Sequence, residues 1–155
     1  MIAIGIDTGK NTGIAVWDST LGYFRALATV PLYEALEMVT EWVAVAKVKG
    51  LPVAVFIEDA RQRRWIPREM SLKEAKGRAQ GAGSVKRDAV IWEEFLKGKK
   101  IPYKMVAPKD NSTKMSADLF ARATGFAGRC SNHARDAAML VWNKSETYLK
   151  SAQVQ

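Results

Sequence analysis

Short apolar runs open the chain, and helical spacing takes over after them. Ile2 to Ile6 is an apolar run closed by Asp7, which predicts a short buried strand. Thr12 to Asp18 predicts a second strand, Asp18-Ser-Thr-Leu-Gly22 supplies turn residues, and Tyr23 to Val30 predicts a third. Two tight connections make these an antiparallel meander. Leu32, Leu36, Val39, Val43 and Ala46 then recur at helical spacing, with Pro31 near the start and Gly50 past the end. Pro52 introduces the strand Val53 to Ile57, which Glu58 closes. A strand, a helix and a further strand predict a right-handed parallel crossover.

Residues Ala60 to Met70 fit no periodic element. Ser71-Leu-Lys-Glu74 is a capping box that predicts a helix start, worth about 1 kcal/mol. The helix continues towards Leu96 through Ala75, Ala79, Ala82, Val85 and Ala89. Gly77, Gly81 and Gly83 weaken it and mark a close backbone approach or a bend. Tyr103 to Ala107 predicts a fifth strand, and Pro108 to Lys114 a polar loop. A helix is predicted over Met115 to Thr124, a loop over Gly125 to Arg129, and a last helix from Asn132 to about Leu149. Ser131 or Asn132 can cap that helix. The order βββαβαβαα gives one α/β domain over residues 1–150, with 151–155 as a frayed tail. Its sheet is five-stranded and mixed, with helices on both faces, an arrangement that resembles the ribonuclease H-like architecture.

Charge narrows the partner. The chain has 155 residues, a formal net charge of +8 and a sequence pI of about 9.7. That excess favours a polyanion. Cys130 is the single cysteine, which excludes an internal disulfide and a thiolate zinc site. The apolar runs are too short to span a membrane, and the N-terminus reads as a strand rather than a signal peptide. A cytoplasmic setting is expected, in a bacterium or a phage-infected host.

Three carboxylates and one histidine carry the candidate chemistry. In such a sheet the first and fourth strands are parallel neighbours, so Asp7 and Glu58 both sit at carboxyl ends, where open α/β sheets bind ligands. Paired carboxylates repel unless a cation separates them. Mg²⁺ needs only one or two protein carboxylates, with water and phosphate completing its shell. Asp136 joins from the last helix, and His133 lies three residues earlier on the same helical face. Two such ions, roughly 3.5–4 Å apart, would activate water and stabilise the leaving 3′ oxygen. Mn²⁺ is expected to substitute for Mg²⁺, and no small-molecule cofactor is expected. Asp59 should face away from Glu58 and pair with a nearby arginine.

These residues resemble the RuvC family of Holliday junction resolvases. The matching pieces are Ile4-Gly-Ile-Asp7-Thr-Gly, Phe56-Ile-Glu58, Gly77-Arg-Ala-Gln-Gly81 and His133-Ala-Arg-Asp136-Ala-Ala, in family order. The resemblance implies a ribonuclease H-like fold, a homodimer, divalent-metal dependence and paired nicks of like polarity across a four-way DNA junction. It carries Asp7, Glu58 and Asp136 over as metal ligands. His133 falls where members have aspartate or histidine, and Lys109 and Lys114 fall near lysines that contact phosphates. The sequence departs from the family in two places. The loop Pro108 to Lys114 is short, and Arg61 stands where many members carry an aromatic residue. Trp65 is the candidate replacement for base stacking. The small size and basic loop look more like a phage-type member.

Basic residues are dense from Arg61 to Arg87, and Arg61, Arg63, Arg64 and Arg68 begin just after Glu58. Arginines there are expected on phosphates and Trp65 on an exposed base. Lys109 and Lys114 extend that surface. Lys97, Lys99 and Lys100 read more simply as a solvated helix end. The glycine-bearing helix from Ser71 to Leu96 is the expected dimer interface. Alternative readings are another ribonuclease H-like nuclease, acting on branched DNA or RNA–DNA hybrid, and a noncatalytic junction-binding relative. The first motif also resembles the phosphate loop of sugar kinases, but those enclose their nucleotide between two domains.

Overall fold

The computed structural model describes residues 1–62, 72–111 and 114–154, with 72–82 and 85 as helix backbone only. The strands are β1 (Ile2–Asp7), β2 (Asn11–Asp18), β3 (Tyr23–Pro31), β4 (Val53–Glu58) and β5 (Tyr103–Val106). The helices are α1 (Leu32–Val48), α2 (Leu72–Lys99), α3 (Ala117–Thr124), α4 (Asn132–Met139) and α5 (Glu146–Leu149). The sheet order is β3-β2-β1-β4-β5. β1 pairs antiparallel with β2 and β2 with β3, whereas β1–β4 and β4–β5 are parallel. The expected five-stranded mixed α/β sheet is present. The expected cap at Ser71 lies outside the described residues.

Strand alternation divides the core into two unequal halves. Ile2, Ile4, Ile6, Ile14, Val16, Val55 and Ile57 point to one face and pack with Ala35, Val39 and Ala46 of α1 and Trp92 and Leu96 of α2. Ala3, Ala15, Ala54 and Phe56 point to the other, against Phe120 of α3, Ala137 and Ala138 of α4, and Leu149 of α5. The first face carries large branched side chains. The second is lined mostly by small ones, so α4 sits close to the strands.

Two glycines set that distance. A Cβ on Gly5 would come within 2.0 Å of the Ala137 carbonyl oxygen, and one on Gly13 within 2.0 Å of the His133 carbonyl oxygen. Gly13 is the register partner of Asp7. The helix is therefore seated directly over the end of β1.

Several boundaries differ from the sequence reading by a residue or more, and three of the differences have a clear local cause. The last helix stops at Met139 instead of Leu149. Its final turn tightens, Asn143 adopts a left-handed φ of 51°, and the Ser145 hydroxyl starts α5 by accepting from the Tyr148 N–H at 3.2 Å. Asn and Ser compete with the helix for backbone hydrogen bonds, and here they divide it. α3 begins at Ala117 rather than Met115, because the Ser116 hydroxyl caps it by accepting from the Leu119 N–H. The tail expected to fray is tied down at Gln153, which exchanges backbone hydrogen bonds of 3.1 and 3.2 Å with Tyr103 and so covers part of the β5 edge. Among the described residues, no helix is long and apolar enough to cross a membrane.

Candidate active site

The register of β1 on β4 places Ile6 beside Ile57, so Asp7 and Glu58 close adjacent parallel strands. In the alternation of their strands both fall on the small-residue face, the face that α4 covers. α4 starts where the Ser131 hydroxyl accepts from the Ala134 N–H at 3.1 Å, and Ser131 also contacts the Thr29 hydroxyl of β3. The helix is held from behind by Arg135. This buried guanidinium donates to the carbonyls of Met115 (3.1 Å) and Cys130 (2.7 Å) and to the Asn132 side chain. His133 and Asp136 are thus presented at the β1–β4 end of the sheet by a clamped helix.

His133 Nδ1 lies 2.8 Å from Asp7 Oδ2. The sequence placed His133 beside Asp136, whereas its ring bonds the strand carboxylate instead. A ring protonated on Nδ1, neutral or cationic, donates in this pair. The Asp7 side chain is only 15% exposed. Burial pushes its pKa up to about 6, and the charges of Glu58 and Asp136 add to the rise while His133 opposes it. Glu58 and Asp136 therefore both act on Asp7 electrostatically.

The opposite side of the site comes from the segment between β5 and α3. Asn111 Nδ2 donates to Glu58 Oε2 at 3.0 Å and to the Asp136 carbonyl at 3.3 Å. Lys114 Nζ sits 3.3 Å from Asp136 Oδ2 while its side chain stays 87% exposed. Lys109 is exposed on the 3₁₀ turn Pro108–Asp110 just before. Lys10, in the β1–β2 connection, is exposed at the same edge. Asn111 and Lys10 escaped the sequence reading. Lys10 was findable as a cation three residues beyond a strand-closing aspartate. Asn111 lies in a loop with no periodicity to aim it.

The Arg61 guanidinium grips Asp59 in a two-pronged contact, 2.7 and 3.0 Å, and reaches Glu93 of α2 at 2.8 Å. It holds Glu93 below the usual carboxylate range. A guanidinium held by two carboxylates braces the end of β4 against α2. Asp59 is buried and paired with this arginine, as its alternation from Glu58 implied. Arg63, Arg64, Trp65 and Arg68 lie outside the described residues.

The donor set suits a hard divalent cation. It offers carboxylate oxygens and an imidazole, and its mutual repulsion is of the kind a cation relieves. Among the described residues, no group of three or more His, Cys, Asp or Glu side chains is placed so as to hold a metal ion by itself. Mg²⁺ does not require one, since water and substrate phosphate normally fill much of its shell. Comparison with protein-family models, curated proteins and solved structures gives no match.

Proposed function

We propose that this protein is a metal-dependent endonuclease that cuts branched DNA, with four-way junctions as its substrate. The observation that carries the reading is the gathering of Asp7, Glu58, Asp136 and His133 at one edge of the sheet, on a chain of net charge +8. The strand order supports a ribonuclease H-like assignment, and the four sequence pieces quoted above support likeness to the RuvC resolvases. Asp7, Glu58 and Asp136 would hold Mg²⁺ or Mn²⁺, two ions in the full site. When bound, such ions supply Lewis-acid stabilisation and a water nucleophile at neutral pH.

The chain's own groups do the rest. Asp7 and Glu58 fix negative charge on strands that cannot move apart without breaking the sheet. His133 restrains the Asp7 carboxylate through the 2.8 Å contact of its Nδ1 with Oδ2. Lys114, paired with Asp136, and the exposed Lys109 and Lys10 offer contacts to scissile and flanking phosphates. A four-way junction has approximate two-fold symmetry, so paired cuts call for a homodimer with a matching axis.

The test is nicking of a synthetic four-way junction in Mg²⁺, beside linear duplex and RNA–DNA hybrid, with EDTA as control. Symmetric nicks in the junction alone are expected. Preferential cutting of the hybrid would favour another nuclease activity of the same site. Junction binding without cutting under any divalent metal would favour a noncatalytic binding protein.

A further inference from the structure

The segment between β5 and α3 touches the acidic residues from a side that strand and helix leave open. Asn111 is its central contact. One side-chain nitrogen spans two elements, reaching Glu58 Oε2 on β4 at 3.0 Å and the Asp136 carbonyl on α4 at 3.3 Å. An amide NH₂ has two hydrogens, so both bonds can form at once.

The helix prepares its half of the contact. In a regular α-helix the Asp136 carbonyl would accept from the Leu140 N–H. Here the Leu140 N–H turns to Ala137, at 3.2 Å, as the last turn tightens. The Asp136 carbonyl accepts from Asn111 beside that tightened turn. The early end of α4 and the position of Asn111 are parts of one arrangement.

We propose that Asn111 is a positioning residue for the metal site, fixing the Glu58 carboxylate relative to Asp136 so that both can serve one cation cluster. The inference rests on the metal-dependent cleavage reading. A neutral donor suits this task. It orients a carboxylate through one oxygen without adding a charge that would compete with the metal, unlike Lys114, whose ammonium pairs with Asp136 itself. Partners that orient metal ligands in this way typically carry about 10- to 100-fold of metal affinity.

The test is Mn²⁺ binding to the full chain, followed by the electron paramagnetic resonance of the free ion, for the parent and for Asn111→Leu and Asn111→Ala. Leucine keeps the volume and removes the donor. Alanine removes both and decides the matter if the leucine variant does not fold. Melting in EDTA shows that each variant is folded. Both folded variants should bind Mn²⁺ about 10- to 100-fold more weakly than the parent while melting close to it in EDTA. Mn²⁺ affinity within about twofold of the parent, against that expected loss, would overturn the proposal and leave Asn111 as a loop tether. Asp136→Asn separates this outcome from failure of the metal site as a whole. If the parent binds no Mn²⁺ that this substitution removes, the metal-dependent reading falls and takes the Asn111 proposal with it. If the parent binds and the Asn111 variants bind equally well, only the Asn111 proposal falls.

Discussion

Asp7→Asn should stabilise the metal-free protein at neutral pH. The folded structure raises the Asp7 pKa from 3.8 to about 6, chiefly by burying it and also by placing it near Glu58 and Asp136. A tenfold change in proton affinity corresponds to about 1.4 kcal/mol, so holding Asp7 ionised costs the fold about 3 kcal/mol. Below pH ~4 the carboxyl is protonated in folded and unfolded chains alike, and the cost is absent. Between pH ~4 and ~6 the unfolded chain ionises first, so stability falls as pH rises. Above pH ~6 the full cost is present. Asparagine removes it but also weakens the charged bond to His133, which leaves a net gain of about 1–3 kcal/mol. For a chain of this size that raises Tm by about 2–10 °C. The assay is urea or thermal unfolding of both proteins in EDTA across the range from about pH 4 to about pH 8. The gap should open between pH ~4 and ~6 and then stay flat. Saturating Mn²⁺ should shrink or reverse it, because only the parent binds the ion well. An asparagine variant less stable than the parent at neutral pH, or a gap independent of pH, would refute the idea that the acidic cluster is strained without a cation.

Other substitutions separate the roles of the surrounding residues. Gly13→Ala places a methyl group where the His133 carbonyl oxygen stands; it should cost about 1–3 kcal/mol and lower cleavage more than junction binding, read by melting and by nicking. Arg61→Ala should destabilise by about 1–3 kcal/mol by removing the counter-charge of buried Asp59, which keeps hydrogen bonds from Gln62 and the residue-61 N–H, yet leave the salt dependence of DNA binding unchanged. Lys114→Ala should do the opposite, reducing the slope of log affinity against log salt by about one unit with little change in Tm. His133→Asp should keep more cleavage activity than His133→Ala, and equal activity of the alanine variant and the parent would make the histidine a purely structural contact.

Much of the architecture was legible because β1, β2 and β4 are short apolar runs with opposite demands on their two faces. Reading the first and fourth strands as parallel neighbours put Asp7 and Glu58 at adjacent carboxyl ends, where they lie, whereas the seat of α4 on the small-residue face was not read from the alternation of isoleucine with alanine or glycine in Ile2–Asp7. The end of the last helix was not legible, because Met139, Leu140 and Val141 stay apolar and buried through the break. Only the turn chemistry of Asn143 and Ser145 marks it. The tie of Arg61 to Glu93 was not legible, because its local neighbours are basic and Glu93 lies far along the chain on another helix. Asn111 was invisible for the same reason. Its partners, the Glu58 carboxylate and the Asp136 carbonyl, lie on elements distant in sequence.

The central claim is that Asp7, Glu58 and Asp136 form one metal-dependent cleavage centre. The most direct measurement is Mg²⁺-dependent nicking of a four-way junction by Asp7→Asn, Glu58→Gln and Asp136→Asn, each beside its junction affinity in EDTA. The expected result is loss of most cleavage in all three with binding largely retained, since phosphate contacts dominate affinity. A variant that folds, binds and cuts at near the parental rate would contradict the claim.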